Sequence, residues 1–173
     1  MTQSSTPPET RDDRLNEQDL QTLLSRLSDP DKAVRAEAAC GLAAAGRSAI
    51  PACIALLQNS DWKVRYRAAE VLGLIGDGEA YAPLTAALDD GKDHVRYMAA
   101  KGLGLLGDPR AVTHLGAMQH DENEFVRRSA ASSLGMIGGG EAIGMLRAAL
   151  GDEAADGVRA AIVAALRRNG AGV

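Results

Sequence analysis

Aromatic residues are scarce in this chain: 3% of 173 residues, with one Trp, one Phe and three Tyr. A core built on large rings is therefore excluded, and burial falls to alanine, leucine and valine, a mix that favours helices packed closely through small side chains. Two cysteines, Cys40 and Cys53, are too few for a disulfide framework and read as small buried thiols. No run of about 18 apolar residues occurs, so no membrane span is predicted. The opening "MTQSSTPPETRDDR" has no apolar segment of the kind that directs secretion, and a cytoplasmic protein is expected. An excess of positive charge is also missing. Nineteen Lys and Arg stand against 23 Asp and Glu, a net charge of -4, which argues against nucleic acid or an anionic membrane as the main partner.

What the chain does have is a period. Val34-Arg35, Val64-Arg65, Val95-Arg96, Val126-Arg127 and Val158-Arg159 follow one another at steps of 30, 31, 31 and 32 residues. A fixed step in this range marks stacked supersecondary units. Each Val-Arg opens a phrase such as "VRYMAAKGLGLLG", with apolar residues at the valine and at the fourth, fifth, eighth and eleventh positions beyond it, one face of an amphipathic helix. Gly46, Gly76, Gly107, Gly138 and Gly170, twelve positions on, fall where a helix needs a left-handed stop. Shorter apolar segments such as "IPACIALL" and "AVTHLGAM" lie between the phrases, with Pro51, Pro83 and Pro109 near their starts. The unit is two antiparallel helices. Residues 1–14 are expected to be disordered, and 15–173 to form a single domain with units at about 15–46, 47–76, 77–107, 108–138 and 139–170.

The phrase "DxxxxVRxxAAxxLGxxGD", repeated in register over nearly the whole folded part, resembles the HEAT-like repeats named after phycobilisome lyases. That resemblance implies an all-α fold, a right-handed α-solenoid of about five stacked antiparallel helix pairs with the second helices on the concave side. It also implies a binding scaffold more often than an enzyme, with an accessory bilin lyase-like or other cofactor-handling role as the alternative. A related HEAT-repeat enzyme family, deoxyhypusine hydroxylase, holds two irons through His-Glu dipeptides. No such dipeptide occurs here, and the corresponding positions read Glu37-Ala38, Arg67-Ala68, Met98-Ala99 and Ser129-Ala130. Neither a catalytic site nor a metal or cofactor is expected. His120, beside Asp121, Glu122 and Glu124, reads as part of a solvated turn.

"GLGLLG" places Gly102, Gly104 and Gly107 in the spacing of a dinucleotide fingerprint, with Asp121 19 residues beyond the first glycine. That fingerprint must open a helix, whereas here the glycines close one, where exposed carbonyls repel phosphate. Gly104, like Gly73 and Gly135, reads as a close-packing position, and Gly102 as a variable one.

Six positions before each arginine stands an acidic or amide residue, pairing Asp29 with Arg35, Asn59 with Arg65, Asp90 with Arg96, Asp121 with Arg127 and Glu153 with Arg159. The recurrence predicts a structural ladder in which these residues accept N–H groups of the helix start and bond arginines of their own or the adjacent unit. Positions that vary between units are free to specify a partner. At the second, third and sixth positions after the valine, large residues gather in the middle three units, and the expected partner-binding set is Trp62, Tyr66, Arg67, Glu70, Tyr97, Met98, Lys101 and Arg128. Phe125 is expected on a seam between units. The expectation is a protein or peptide partner on the concave face, with self-association through the C-terminal unit as a further route.

Overall fold

The computed structural model describes residues 16–172. The segment 1–14 expected to be disordered lies outside the described residues. Among these, all regular structure is helical, in five pairs: α1 (Glu17–Arg26) with α2 (Lys32–Ala45), α3 (Ile50–Leu56) with α4 (Trp62–Ile75), α5 (Tyr81–Ala86) with α6 (Asp93–Leu106), α7 (Ala111–Ala117) with α8 (Glu124–Ile137), and α9 (Gly139–Asp152) with α10 (Asp156–Arg168). Three of the five second helices start on side-chain caps: Asp31, Asp61 and Asn123 accept the N–H groups of Ala33, Lys63 and Phe125. Gly76 and Gly107 end α4 and α6 in the left-handed region. Gly46 and Gly138 also have positive φ, but with ψ of -133° and -163° they lie outside the left-handed helical region, and helical structure resumes at once. Residues Lys32–Leu56 are apolar enough on average to cross a membrane, yet the break at Gly46 divides them into α2 and α3.

The eighth position of every second helix, Leu42, Leu72, Leu103, Leu134 and Leu166, is fully buried. Cys53 joins this core, whereas Cys40, expected to be buried, is exposed on α2. Neighbouring second helices meet through their ninth and seventh positions. A Cβ built on Gly73 would lie 2.6 Å from the Gly102 Cα, one on Gly104 would lie 2.4 Å from the Ser133 Oγ, and one on Gly135 would lie 2.5 Å from the Ala165 Cβ. Gly104 is thus a close-packing glycine, and Gly102, although its position varies between units, is not free. It is buried and forms the other half of the Gly73 contact. Second helices thus contact one another more closely than the short first helices do.

The arginines tie the units together. Arg65 donates two hydrogen bonds to Asp90 (2.7 and 2.8 Å), Arg96 two to Asp121 (2.7 and 3.0 Å) and Arg127 two to Glu153 (2.7 and 3.0 Å). Each guanidinium therefore grips the carboxylate of the following unit, while its Nη1 donates to the backbone carbonyl of the paired residue in its own unit, as Arg96 does to Asp90. The carboxylates accept from the N–H two residues on, as Asp90 does from Lys92, not from the helix start itself. Arg65 holds the Asp90 carboxyl below its ordinary range, and Arg127 does the same for Glu153. Burial alone would raise Asp121, but hydrogen bonds from Arg96 and the Asn123 N–H outweigh it and keep that carboxyl low.

One rung is missing. Asn59 stands opposite Arg35, whose Nη1 donates only to the carbonyls of Asp29 and Pro30. Arg159, in the fifth pair, donates to the carbonyls of Leu150 and Glu153. In α10 the ninth and tenth positions are Arg167 and Arg168, both exposed. Arg167 puts charge where the inner seams have a glycine, which opposes close packing of another helix against that end.

Candidate partner-binding surface

Each second helix uses its fourth and eighth positions against the core and its fifth, seventh and ninth against neighbours. Left over are the second, sixth and tenth, which fall on one stripe because they are four residues apart. In the end units this stripe is nearly bare: Ala36, Cys40 and Ala44 on α2, and Ala160, Ala164 and Arg168 on α10. The middle units carry Tyr66, Glu70 and Leu74, then Tyr97, Lys101 and Leu105, then Arg128, Ser132 and Met136. Leu74, Leu105 and Met136 are 49%, 45% and 39% exposed, three of the four large apolar side chains exposed among the described residues. They form a row across α4, α6 and α8 that the sequence reading missed. Their apolar recurrence mimics a core position, although counting the helical face from Tyr66 or Tyr97 reaches them.

The third position belongs elsewhere. Met98, expected to bind a partner, is buried at 3% exposure and packs in the core. Ser129 is buried as well and donates to the Tyr97 carbonyl at 3.0 Å, across the α6–α8 seam. Arg67 donates to Glu70 at 2.6 Å, and both side chains are mostly covered, so these two residues neutralise one another. Tyr66 and Tyr97 are half-buried against the core. Burial, and next the nearby Glu70 carboxylate, push the Tyr66 hydroxyl above its ordinary pKa.

At the N-terminal edge of the same helices lies a hollow of about 310 Å³ walled by Tyr66, His94, Tyr97, Phe125 and Arg128, with Asp93 and Asn123 at its rim. A second hollow of about 610 Å³, lined by Trp62, Lys63 and Arg67 among others, shares Tyr66 and His94 with it, so the two form one trough. The Trp62 and His94 rings are 4.8 Å apart and bridge α4 to α6, with the Lys92 ammonium 5.8 Å from the Trp62 ring centre. Asp93 fixes the trough wall: its carboxylate pairs with His94 Nδ1 at 2.8 Å and accepts from Asn123 Nδ2 at 2.6 Å. The bond to His94 holds the Asp93 carboxyl below its ordinary range. Phe125, expected on a seam, is instead 51% exposed on the trough wall, with Arg128 over its ring at 5.1 Å. No serine or cysteine lines the hollow beside the Asp93–His94 pair, and among the described residues no three His, Cys, Asp or Glu side chains gather as metal ligands. The chemistry on offer is contact: rings, aliphatic ends and cations.

A family model described as HEAT repeats matches residues 20–96 and 82–167. The chain belongs to the HEAT-repeat family. Among solved structures this HEAT-repeat protein is similar to a chain in the complex of CpcE and CpcF of phycocyanin lyase from Nostoc sp. PCC7120, at TM-score 0.78 and 24% identity over 84% of this chain and 96% of that one. It is also similar to YibA of Escherichia coli, at TM-score 0.75 and 22% identity, covering 90% of this chain and 59% of that one. A designed armadillo repeat protein in complex with the peptide (KR)4 matches at TM-score 0.54 and 22% identity over 86% of this chain and 81% of that one. At these identities the likeness is one of fold, a HEAT/armadillo-like helical solenoid. A search of curated proteins by sequence gives no significant match.

Proposed function

We propose that this protein is a non-catalytic scaffold that holds a protein partner, or a segment of one, on the concave surface of its second helices. The observation that carries this reading is the row Leu74, Leu105 and Met136, exposed on the one helical stripe that folding leaves unused and confined to the three middle units. Exposed apolar side chains aligned at the repeat spacing cost solubility and add nothing to the core, which is the usual mark of a contact surface. The adjoining trough adds aromatic and arginine side chains, the types that dominate binding energy at interfaces. Neighbouring helix pairs present both features largely preformed, so capture needs little rearrangement.

Affinity purification from the native cell, with wild-type protein and a Leu105→Ser, Phe125→Ala variant in parallel, tests the reading. Mass spectrometry should find partners enriched on the wild type and lost from the variant. An identical partner set on both, or no enrichment at native expression, counts against it. Visible absorbance in the purified protein would redirect the reading to a cofactor-handling role.

A further inference from the structure

The exposed stripe is charged against the rest of the molecule. The chain as a whole carries -4, yet the fifteen stripe positions hold one acid, Glu70, and three cations, Lys101, Arg128 and Arg168. Glu70 is already neutralised by Arg67 at 2.6 Å. Lys101, Arg128 and Arg168 have no carboxylate within ion-pair distance among the described residues. Other cations, among them Arg35, Arg147 and Arg159, also lack a carboxylate and donate to backbone carbonyls instead, but on this stripe the cations adjoin an exposed apolar row and its one acid is already paired. Lys101 sits one helical turn before Leu105 on α6, and Arg128 two turns before Met136 on α8, so the cations flank the apolar row.

Resting on the scaffold reading above, we infer that the occupant of this surface is an extended acidic peptide segment of the partner, crossing the second helices with an apolar side chain at about every third residue and carboxylates between. The spacing follows from two repeats of different origin. Packed helices stand about 8–10 Å apart, so Leu74, Leu105 and Met136 recur at about that interval. An extended or polyproline-type chain advances about 3.1–3.3 Å per residue, so three residues cover one step of the row. Phosphate-rich nucleic acid would satisfy the cations but leave the aliphatic row uncovered, and the net negative charge of the protein works against it. An acidic peptide satisfies both and is drawn to this face over the others.

Display selection with a random dodecapeptide library on the full-length protein tests the inference. Enriched peptides should be rich in Asp and Glu, with Leu, Ile, Phe or Met at a spacing of three. The affinity of a synthesised representative should fall by about tenfold or more in a Lys101→Glu, Arg128→Glu variant whose thermal unfolding is unchanged. Enriched peptides that are neutral or basic overturn the acidic chemistry and leave the scaffold reading standing. No enrichment on the wild type overturns both, and a labelled single-stranded oligonucleotide that binds at physiological salt where acidic peptides do not assigns the face to nucleic acid.

Discussion

Gly73 and Gly102 touch backbone to backbone across the α4–α6 seam: a Cβ added to Gly73 would lie 2.6 Å from the Gly102 Cα. The two helix axes can approach only because both residues lack a side chain. Gly73→Ala should therefore destabilise the protein by about 1–2 kcal/mol, since overpacking at about 1–3 kcal/mol outweighs the better helix propensity of alanine. Gly144, in the interior of α9, has nothing within 4 Å of an added Cβ. Gly144→Ala should gain about 0.5–1 kcal/mol from propensity alone. Urea unfolding of the two variants should give shifts of opposite sign, and equal signs would contradict the close-packing role of Gly73.

Arg96 and Asp121 form the most covered rung, with side chains 12% and 6% exposed. Removing the arginine leaves a nearly buried carboxylate with only the Asn123 N–H, so Arg96→Ala should cost about 2–4 kcal/mol. Arg35, which has no carboxylate across the seam, should cost less when replaced by alanine, about 0.5–1 kcal/mol. Asn59→Asp supplies the missing acceptor and should add about 0.5–1 kcal/mol, because a carboxylate there keeps the hydrogen bond that Asn59 takes from the Asp61 N–H. A double-mutant cycle decides the mechanism: the gain from Asn59→Asp should vanish in an Arg35→Ala background.

The same carboxylates set the acid limit of stability. Asp90, Asp121 and Glu153 bind protons less readily in the folded protein than their ordinary values of 3.8, 3.8 and 4.5. The unfolded chain therefore takes up protons first as pH falls. The ladder's contribution is fully present above those ordinary values and drains away below them, toward the lower folded values. Denaturant unfolding should give a flat stability from about pH 6 to 8 and a steep fall below about pH 4.5. Arg96→Ala should flatten that fall, because Asp121 then loses much of the reason for its low pKa. An unchanged slope would detach the ladder from the acid response.

The helix pairs, their register and the family were legible because five copies of one phrase average out local noise, and the phrase fixes which residues face the core. The ladder was half legible: the pairing by sequence distance found every member, but the side-chain bonds run from each arginine to the next unit, a relationship that a period of about 31 residues contains and a six-residue offset conceals. Gly102 was lost because its partner is a glycine at a different register position, so no alignment of the units exposes it. Met98 was misplaced and Leu105 overlooked for a related reason. Variation between units marked the third position as free, but the neighbouring helix covers it. The tenth position, apolar in four of the five units, drew no reading of its own, and in the middle units its side chains are left 39–49% exposed.

The contrast between Met98 and Leu105 is open to direct measurement. Met98→Ala removes a side chain that is 3% exposed between α6 and its neighbours and should cost about 2–4 kcal/mol, as truncations in a packed interior do. Leu105→Ser and Met136→Ser remove side chains that are 45% and 39% exposed on the far side of their helices from the core, and each should cost under about 1 kcal/mol. Tyr66 and Tyr97, half-buried, should fall between these limits and so make poorer probes of binding alone. Thermal unfolding and partner capture measured on the same preparations separate the roles. Capture should fall in Leu105→Ser and Met136→Ser while the unfolding temperature holds. A large drop in unfolding temperature for either variant would return the row to the core, and full retention of capture would leave it without a function in binding.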